Sequence, residues 1–394
     1  MGRYVSWSLL PFTLASLAAC GDGMGTQPRT SRTGLDPAAS RDERVANGTT
    51  DGAVFVSTNG ARGNSVVAFV RHADGNLTKI GEFGTGGRGI GGSVDPLQSQ
   101  GALALSEDHN TLFVVNAGSN SVSSFDVAND ASLRLVGSVN SEGSQPISLA
   151  LSGNHLYVLN ADNSVSAFSL RDERLPSPIT RVALSLGPAT DGPSTIAASR
   201  DGKFLFVTQR AANAIDVIRV AEDGRLTHDS RSASAGGTPF GFAVTPREQL
   251  IVSEASGDAP NGAVSSYALS NGQLTSRSRS VSTHQAATCW VILSPDSRFA
   301  FAANAGSGSI SAYAVAPTAS LTLLDQDGRT GITNGDGATP LDLGLSSDGH
   351  FLYVLQTGTG SIGAFRVSED GRLTTLPDTP GLSAAAGYQG LAAF

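Results

Sequence analysis

Hydrophobic and polar positions follow one another along this chain in a pattern that keeps returning. A short apolar strand comes first, as in "PISLAL" (146–151) or "STIAAS" (194–199). A polar turn follows, such as Arg200-Asp201-Gly202 or Ser347-Asp348-Gly349. Then comes an unbroken apolar run: "LFVVN" (112–116), "LYVLN" (156–160), "LFVTQ" (205–209), "LIVSE" (250–254), "AFAAN" (300–304) and "LYVLQ" (352–356). Runs without alternation suit strands buried on both faces, between stacked sheets. A Gly, Ser or Asn turn leads into a strand of β-branched and aromatic residues. Hairpin signals come next, at Asp223-Gly224, Asn271-Gly272 and Asp370-Gly371. Each precedes a Leu-Thr pair that opens a fourth strand.

With the irregular first copy "VFVSTNGARGNSVVAFV" (54–70), the unit occurs seven times. Its spacing, roughly 45–50 residues, is that of a propeller. The pattern predicts an all-β chain: a seven-bladed β-propeller with four antiparallel strands per blade. The ending "QGLAAF" (389–394) repeats "QGALAL" (100–105), an innermost strand. The C-terminal strand is therefore expected to complete the first blade. No WD dipeptide recurs, which argues against a WD40 propeller.

Composition narrows the picture further. The 394 residues are 40% hydrophobic and 15% charged, enough for a large core. One all-β domain can reach this length. Net charge is −8 with no basic cluster, so a nucleic-acid partner is not expected. The first residues carry one basic side chain, Arg3, then an apolar small-residue run closing on Leu17-Ala18-Ala19-Cys20. This reads as an export signal, and its ending resembles the lipobox of bacterial lipoproteins. That resemblance implies cleavage before Cys20 and lipid on its sulfur. The expected organisation is a signal peptide over 1–19, a lipidated Cys20 with a flexible tether to residue 50, and the propeller over 51–394. The protein would then sit in the cell envelope, in the periplasm or at the outer surface, held to a bacterial membrane only by its lipid. A monomer is expected.

Candidate chemistry gathers where second strands end and innermost strands begin, the face around a propeller's channel. Asn116, Asn160, Gln209, Glu254, Asn304 and Gln356 end their strands there, one per blade. Glu254 is the only acid among them. Either it caps its turn, as the amides do, or it is a catalytic general base, acid or ligand anchor. Phe240, Trp290 and Tyr388 are candidates for an apolar ligand wall, with core packing as the alternative. Gln145 and Gln389 either face the channel or bond turns. Asp342 lies inside "PLDLGL" (340–345), where a carboxylate needs the channel or a fixed partner. His284 is a ligand candidate in a loop, and Cys289 reads as an inert strand thiol. No zinc spacing, phosphate loop or Gly-x-Ser-x-Gly elbow occurs, and "DQDGRTGITNGD" (325–336) lacks the spacing of an EF-hand. No metal and no cofactor is expected.

The Ser-Pro-Asp or Asp-Gly turn, the "LYVLN" strand and the Ser-Val/Ile strand after it resemble YVTN-type propellers. They resemble most of all the lactonase-like family of 6-phosphogluconolactonases and carboxymuconate cyclases, over about residues 53–394. In the phosphogluconolactonase group a Pro-Arg-His turn opens one inner strand and a Glu ends the next. Here Glu254 takes the Glu position, while the turn reads Pro239-Phe240-Gly241. The resemblance thus implies a lactonase site without its arginine and histidine, in an exported branch, and argues against a sugar-phosphate substrate. Two functions follow as expectations. One is a non-catalytic envelope propeller binding a small molecule or protein through the channel face. The other is a lactone hydrolase or cycloisomerase using Glu254 as general base.

Overall fold

The computed structural model describes residues 51–394 apart from 171–174, 257–260 and 336. The expected signal peptide, Cys20 and the tether lie outside the described residues. Among those described, the strands form seven antiparallel sheets, each one blade, and in blades two to seven the first strand is innermost. In blade four these strands are Pro193–Ala198, Phe204–Gln209, Ala214–Val220 and Leu226–Ala233. Blade five has Pro239–Val244, Gln249–Glu254, Ala263–Ser270 and Gln273–Ser282. Blades six and seven each split the outer strand, adding the short pieces Gly331–Ile332 and Thr379–Pro380.

The C-terminal strand Gln389–Ala393 pairs with Gly52–Ser57, so blade one takes its innermost strand from the far end of the chain. Beyond the ladder, Ala53 and Phe394 exchange both backbone hydrogen bonds, at 3.2 and 3.0 Å.

Burial follows the hydrophobic pattern. The second strands of blades one, four, five and seven are buried at every residue. Outer strands expose most of their positions, as in Leu226–Ala233. The core therefore lies between blades: Phe206 of blade four and Phe242 of blade five meet edge to face at 6.4 Å.

Two local devices repeat and set the geometry of the two faces. On one face, the turn between first and second strands is closed by a serine and an aspartate two residues on. Ser106 donates to Asp108 (2.6 Å), Ser199 to Asp201 (2.8 Å), Ser294 to Asp296 (2.7 Å) and Ser346 to Asp348 (2.5 Å). On the other face, the residue before the innermost strand of blades three to seven has left-handed backbone: Gln145 (φ 57°), Gly192 (71°), Thr238 (55°), Ala287 (52°) and Thr339 (49°). For non-glycine residues this is strained. The carbonyl of each accepts the N–H just past the neighbouring second strand, as Gln145 does from Ala161 at 2.9 Å and Thr238 from Ala255 at 2.9 Å. A register shift follows directly in the same strands. Such bulges release backbone groups from the ladder, often beside functional sites.

Candidate functional site

The ring of strand-ending side chains is enclosed. Asn116, Asn160, Gln209, Asn304 and Gln356 are fully buried, and Glu254 is 1% exposed. In blades two and six the amide donates to a serine seven residues on: Asn116 to Ser123 (2.7 Å) and Asn304 to Ser311 (2.9 Å). Each serine passes its own proton to a carbonyl, of Thr85 (2.8 Å) and Gly328 (2.6 Å). In blade five the polarity reverses. Ser265 receives the N–H of Ser280 (2.7 Å) and donates to the Glu254 carboxylate. Its partner must accept, and a carboxylate is acceptor-only. Gly236 lies against the same carboxylate: a Cβ there would stand 2.0 Å from Oε2.

The channel itself is occupied by the chain. Residues 95–101, between the outer strand of blade one and the innermost strand of blade two, enter it and bond around it. Gln98 accepts from Ser194 (3.0 Å), and Ser99 donates to Ile147 (2.8 Å) and accepts from Trp290 Nε1 (3.0 Å) and Gln389 Nε2 (3.0 Å). Gln100 accepts from Ser148 through its carbonyl (2.6 Å) and exchanges two bonds with the backbone of Val291, both 3.0 Å. The diversion shortens the innermost strand of blade two to Leu103–Leu105. Asp95 and Gln98 adopt left-handed backbone, φ 44° and 51°.

Gly241 explains part of the altered motif. A Cβ at this position would stand 2.1 Å from Gln100 Oε1 and 2.7 Å from the Cys289 carbonyl. Where the resembling enzymes carry a histidine, Gln100 of the channel segment takes the room. The turn itself carries no arginine, yet a cation from elsewhere in the chain stands beside it. Arg210, one residue past the second strand of blade four, holds its guanidinium 5.9 Å from the Phe240 ring. The cation thus comes from a neighbouring blade, and no feature of the Pro-Phe-Gly stretch announces it.

Other candidates fall into place around this segment. Phe240 (3% exposed) and Trp290 (1%) pack edge to face at 5.1 Å inside one apolar cluster, so they support the channel segment. Asp342 is buried and accepts from the Gly390 N–H at 2.9 Å, with Gln389 at 3.5 Å. Burial pushes Asp342 up to about 7. Asp95 rises to about 8, through burial first and then the charge of Asp342, against the lowering pull of Gln389 and Arg210. The Cys289 thiol is buried and pushed far up by burial, as suits an inert strand residue. Arg210 is pulled down by burial and raised by Asp95 and Cys289, which places these groups in one electrostatic cluster.

Gln145 works through its backbone, and its side chain is half-buried. Tyr388 packs partly buried against the cluster between blades seven and one. His284 is exposed, 3.4 Å from Ser282, and joins no cluster. Asp95, Gln98, Gln100 and Arg210 were not legible as site residues. The available signal was a long polar connection, Gly84 to Gly101, ahead of an apolar strand.

A hollow of about 770 Å³ lies on the opposite face, lined by Leu105, Asp108, Phe113, Leu151, Asn154 and Arg200. No group of three or more His, Cys, Asp or Glu fit to hold a metal occurs among the described residues. Asp325 of the 325–336 loop pairs with Arg372 at 2.7 Å.

The family model "Lactonase, 7-bladed beta-propeller" matches residues 62–175 and 161–256. A 6-phosphogluconolactonase of Yersinia pestis (strain Pestoides F) is 22% identical over 237 residues, 59% of this chain and 69% of that protein. The structure of the Pseudomonas aeruginosa periplasmic gluconolactonase PpgL superposes with a TM-score of 0.64 at 18% identity, covering 86% of this chain and 98% of that one. A solved structure from Bacteroides fragilis NCTC 9343 gives 0.67 at 17% identity, over 91% of this chain and all of that one. These structural likenesses speak to the fold. This chain belongs to the lactonase-like family of seven-bladed β-propellers.

Proposed function

We propose that this protein is an exported propeller, tethered to a bacterial membrane through lipid on Cys20, that binds a small molecule or protein partner at its channel face. One observation carries the reading. The channel segment 95–101 fills the centre and takes the room of the motif histidine, while Glu254 is closed off between Ser265 and Gly236. A general base must reach the proton it abstracts, directly or through one water. A buried carboxylate engaged by a serine is better placed to hold its turn. The mouth still offers polar groups to a ligand, since Gln98 is exposed and Asp95 and Arg210 are partly so.

The Cys20→Ser variant tests the tether. It is expected to leave the membrane fraction for a soluble extracytoplasmic pool, or to accumulate unprocessed; unchanged detergent partitioning rejects it. A lactone panel tests binding against turnover. Ligands that raise Tm without being hydrolysed support the proposal.

The second reading, a lactone hydrolase or cycloisomerase with Glu254 as general base, is favoured by the relatives' names, 6-phosphogluconolactonase and gluconolactonase. It predicts lactone turnover that falls roughly 100-fold or more in Glu254→Gln. A sugar phosphate is not the expected substrate in either case.

A further inference from the structure

Arg210 and Asp95 share an unusual condition at the channel mouth. The Nε of Arg210 and the Oδ1 of Asp95 are both enclosed, and neither has a hydrogen-bond partner among the described residues. They therefore do not bond to each other, although they interact electrostatically. An enclosed donor on a cation is costly to leave unmade. The guanidinium is also fixed in place, over the buried Phe240 ring at 5.9 Å, an arrangement that favours a planar cation. Its backbone is held too, the Arg210 N–H bonding the Gly192 carbonyl at 2.9 Å. The result is a partly exposed cation, backed by an aromatic ring, at the channel mouth.

We propose that the channel mouth between blades four and five binds a small molecule through a single carboxylate, with Arg210 as its anchor. This rests on the channel-face binding reading and names the ligand class. A planar carboxylate matches the guanidinium fork. A monoanion is favoured over a phosphate dianion because two carboxyl groups, Asp95 and Asp342, lie close by. With Asp95 and Asp342 both protonated, the site carries one free positive charge. Once Asp95 ionises, its charge offsets Arg210 and repels the ligand. The ionisable groups acting on Asp95 are Arg210 and Asp342, with Cys289 beside them.

The test is calorimetric titration of the full chain in detergent with sodium gluconate, a monoanionic carboxylate, against glucose and inorganic phosphate. Gluconate is expected to bind at least about tenfold more tightly than glucose or phosphate. Arg210→Gln should lose that factor while melting like the wild type, and Arg210→Lys should recover part of it. Gluconate affinity should weaken as pH rises from about 6.5 to about 9, and this dependence should shrink in Asp95→Asn to the part that Asp342 contributes. If Arg210→Gln does not fold, the Asp95→Asn profile decides alone: an unchanged pH dependence overturns the proposal. So does undetectable gluconate binding at about 10 mM, or tighter binding of phosphate. Equal, Arg210-insensitive binding of gluconate and glucose also overturns the carboxylate anchor, yet leaves channel-face binding standing.

Discussion

At Glu254 the departure of one repeat from its sisters has a local cause. Ser265 is already an acceptor for Ser280, so its proton needs an acceptor, and residue 254 supplies one. Glutamine can accept through its side-chain carbonyl. Glu254→Gln is therefore expected to shift stability by no more than about 1 kcal/mol, the scale of one hydrogen bond, as read from denaturant midpoints. A much larger loss would mean that the charge itself is needed. Asp342 leads to a different expectation. Its folded-state pKa, about 7, and that of Asp95, about 8, lie above the ordinary 3.8. The folded protein then holds protons that the unfolded chain releases between about pH 4 and pH 8. Stability is therefore fully present below that window and lost as pH rises through it. Tm should fall between about pH 5 and pH 8.5, and Asp342→Asn should flatten the curve, since asparagine stays neutral and still accepts from Gly390. A pH-independent Tm in the wild type would contradict the burial argument. A carboxylate in an apolar strand marks itself, so Asp342 was visible in the sequence. Arg210 was not, because its relation to Phe240 joins two blades.

Among elements, the serine–aspartate turns are a recurrent cap. In Asp296, burial works against ionisation, but the Ser294 hydroxyl and Arg298 hold the carboxyl down to about 2. The channel segment bonds to strands of blades one, three, four and six. Replacing Gln100 by alanine would remove the bonds to both backbone groups of Val291. An unsatisfied buried group costs about 1–3 kcal/mol, so Gln100→Ala should lower the urea midpoint by a corresponding amount. A change under about 0.5 kcal/mol would show that the segment is only loosely seated. Gly241→Ala should also destabilise, because its methyl group meets Gln100 and the Cys289 carbonyl.

For the molecule as a whole, closure is the central fact. Truncation of residues 390–394 should strip blade one of its innermost strand and abolish the cooperative thermal transition near the wild-type Tm; an unchanged melt would overturn the closure argument. That closure was legible beforehand, because "QGLAAF" repeats "QGALAL". So were the seven blades, their four strands and the doubly buried second strands. These follow from local periodicity, which neighbouring residues carry and which each repeat states again. The filled channel, the cation over Phe240, the reason for Gly241 and the reversed hydrogen-bond polarity at Glu254 were decided only in three dimensions. Each depends on groups that lie distant in sequence and meet because the blades form a ring. Gln100 and Val291 are 191 residues apart and bond at 3.0 Å. No local pattern encodes such a meeting, since it arises from the closure of the ring.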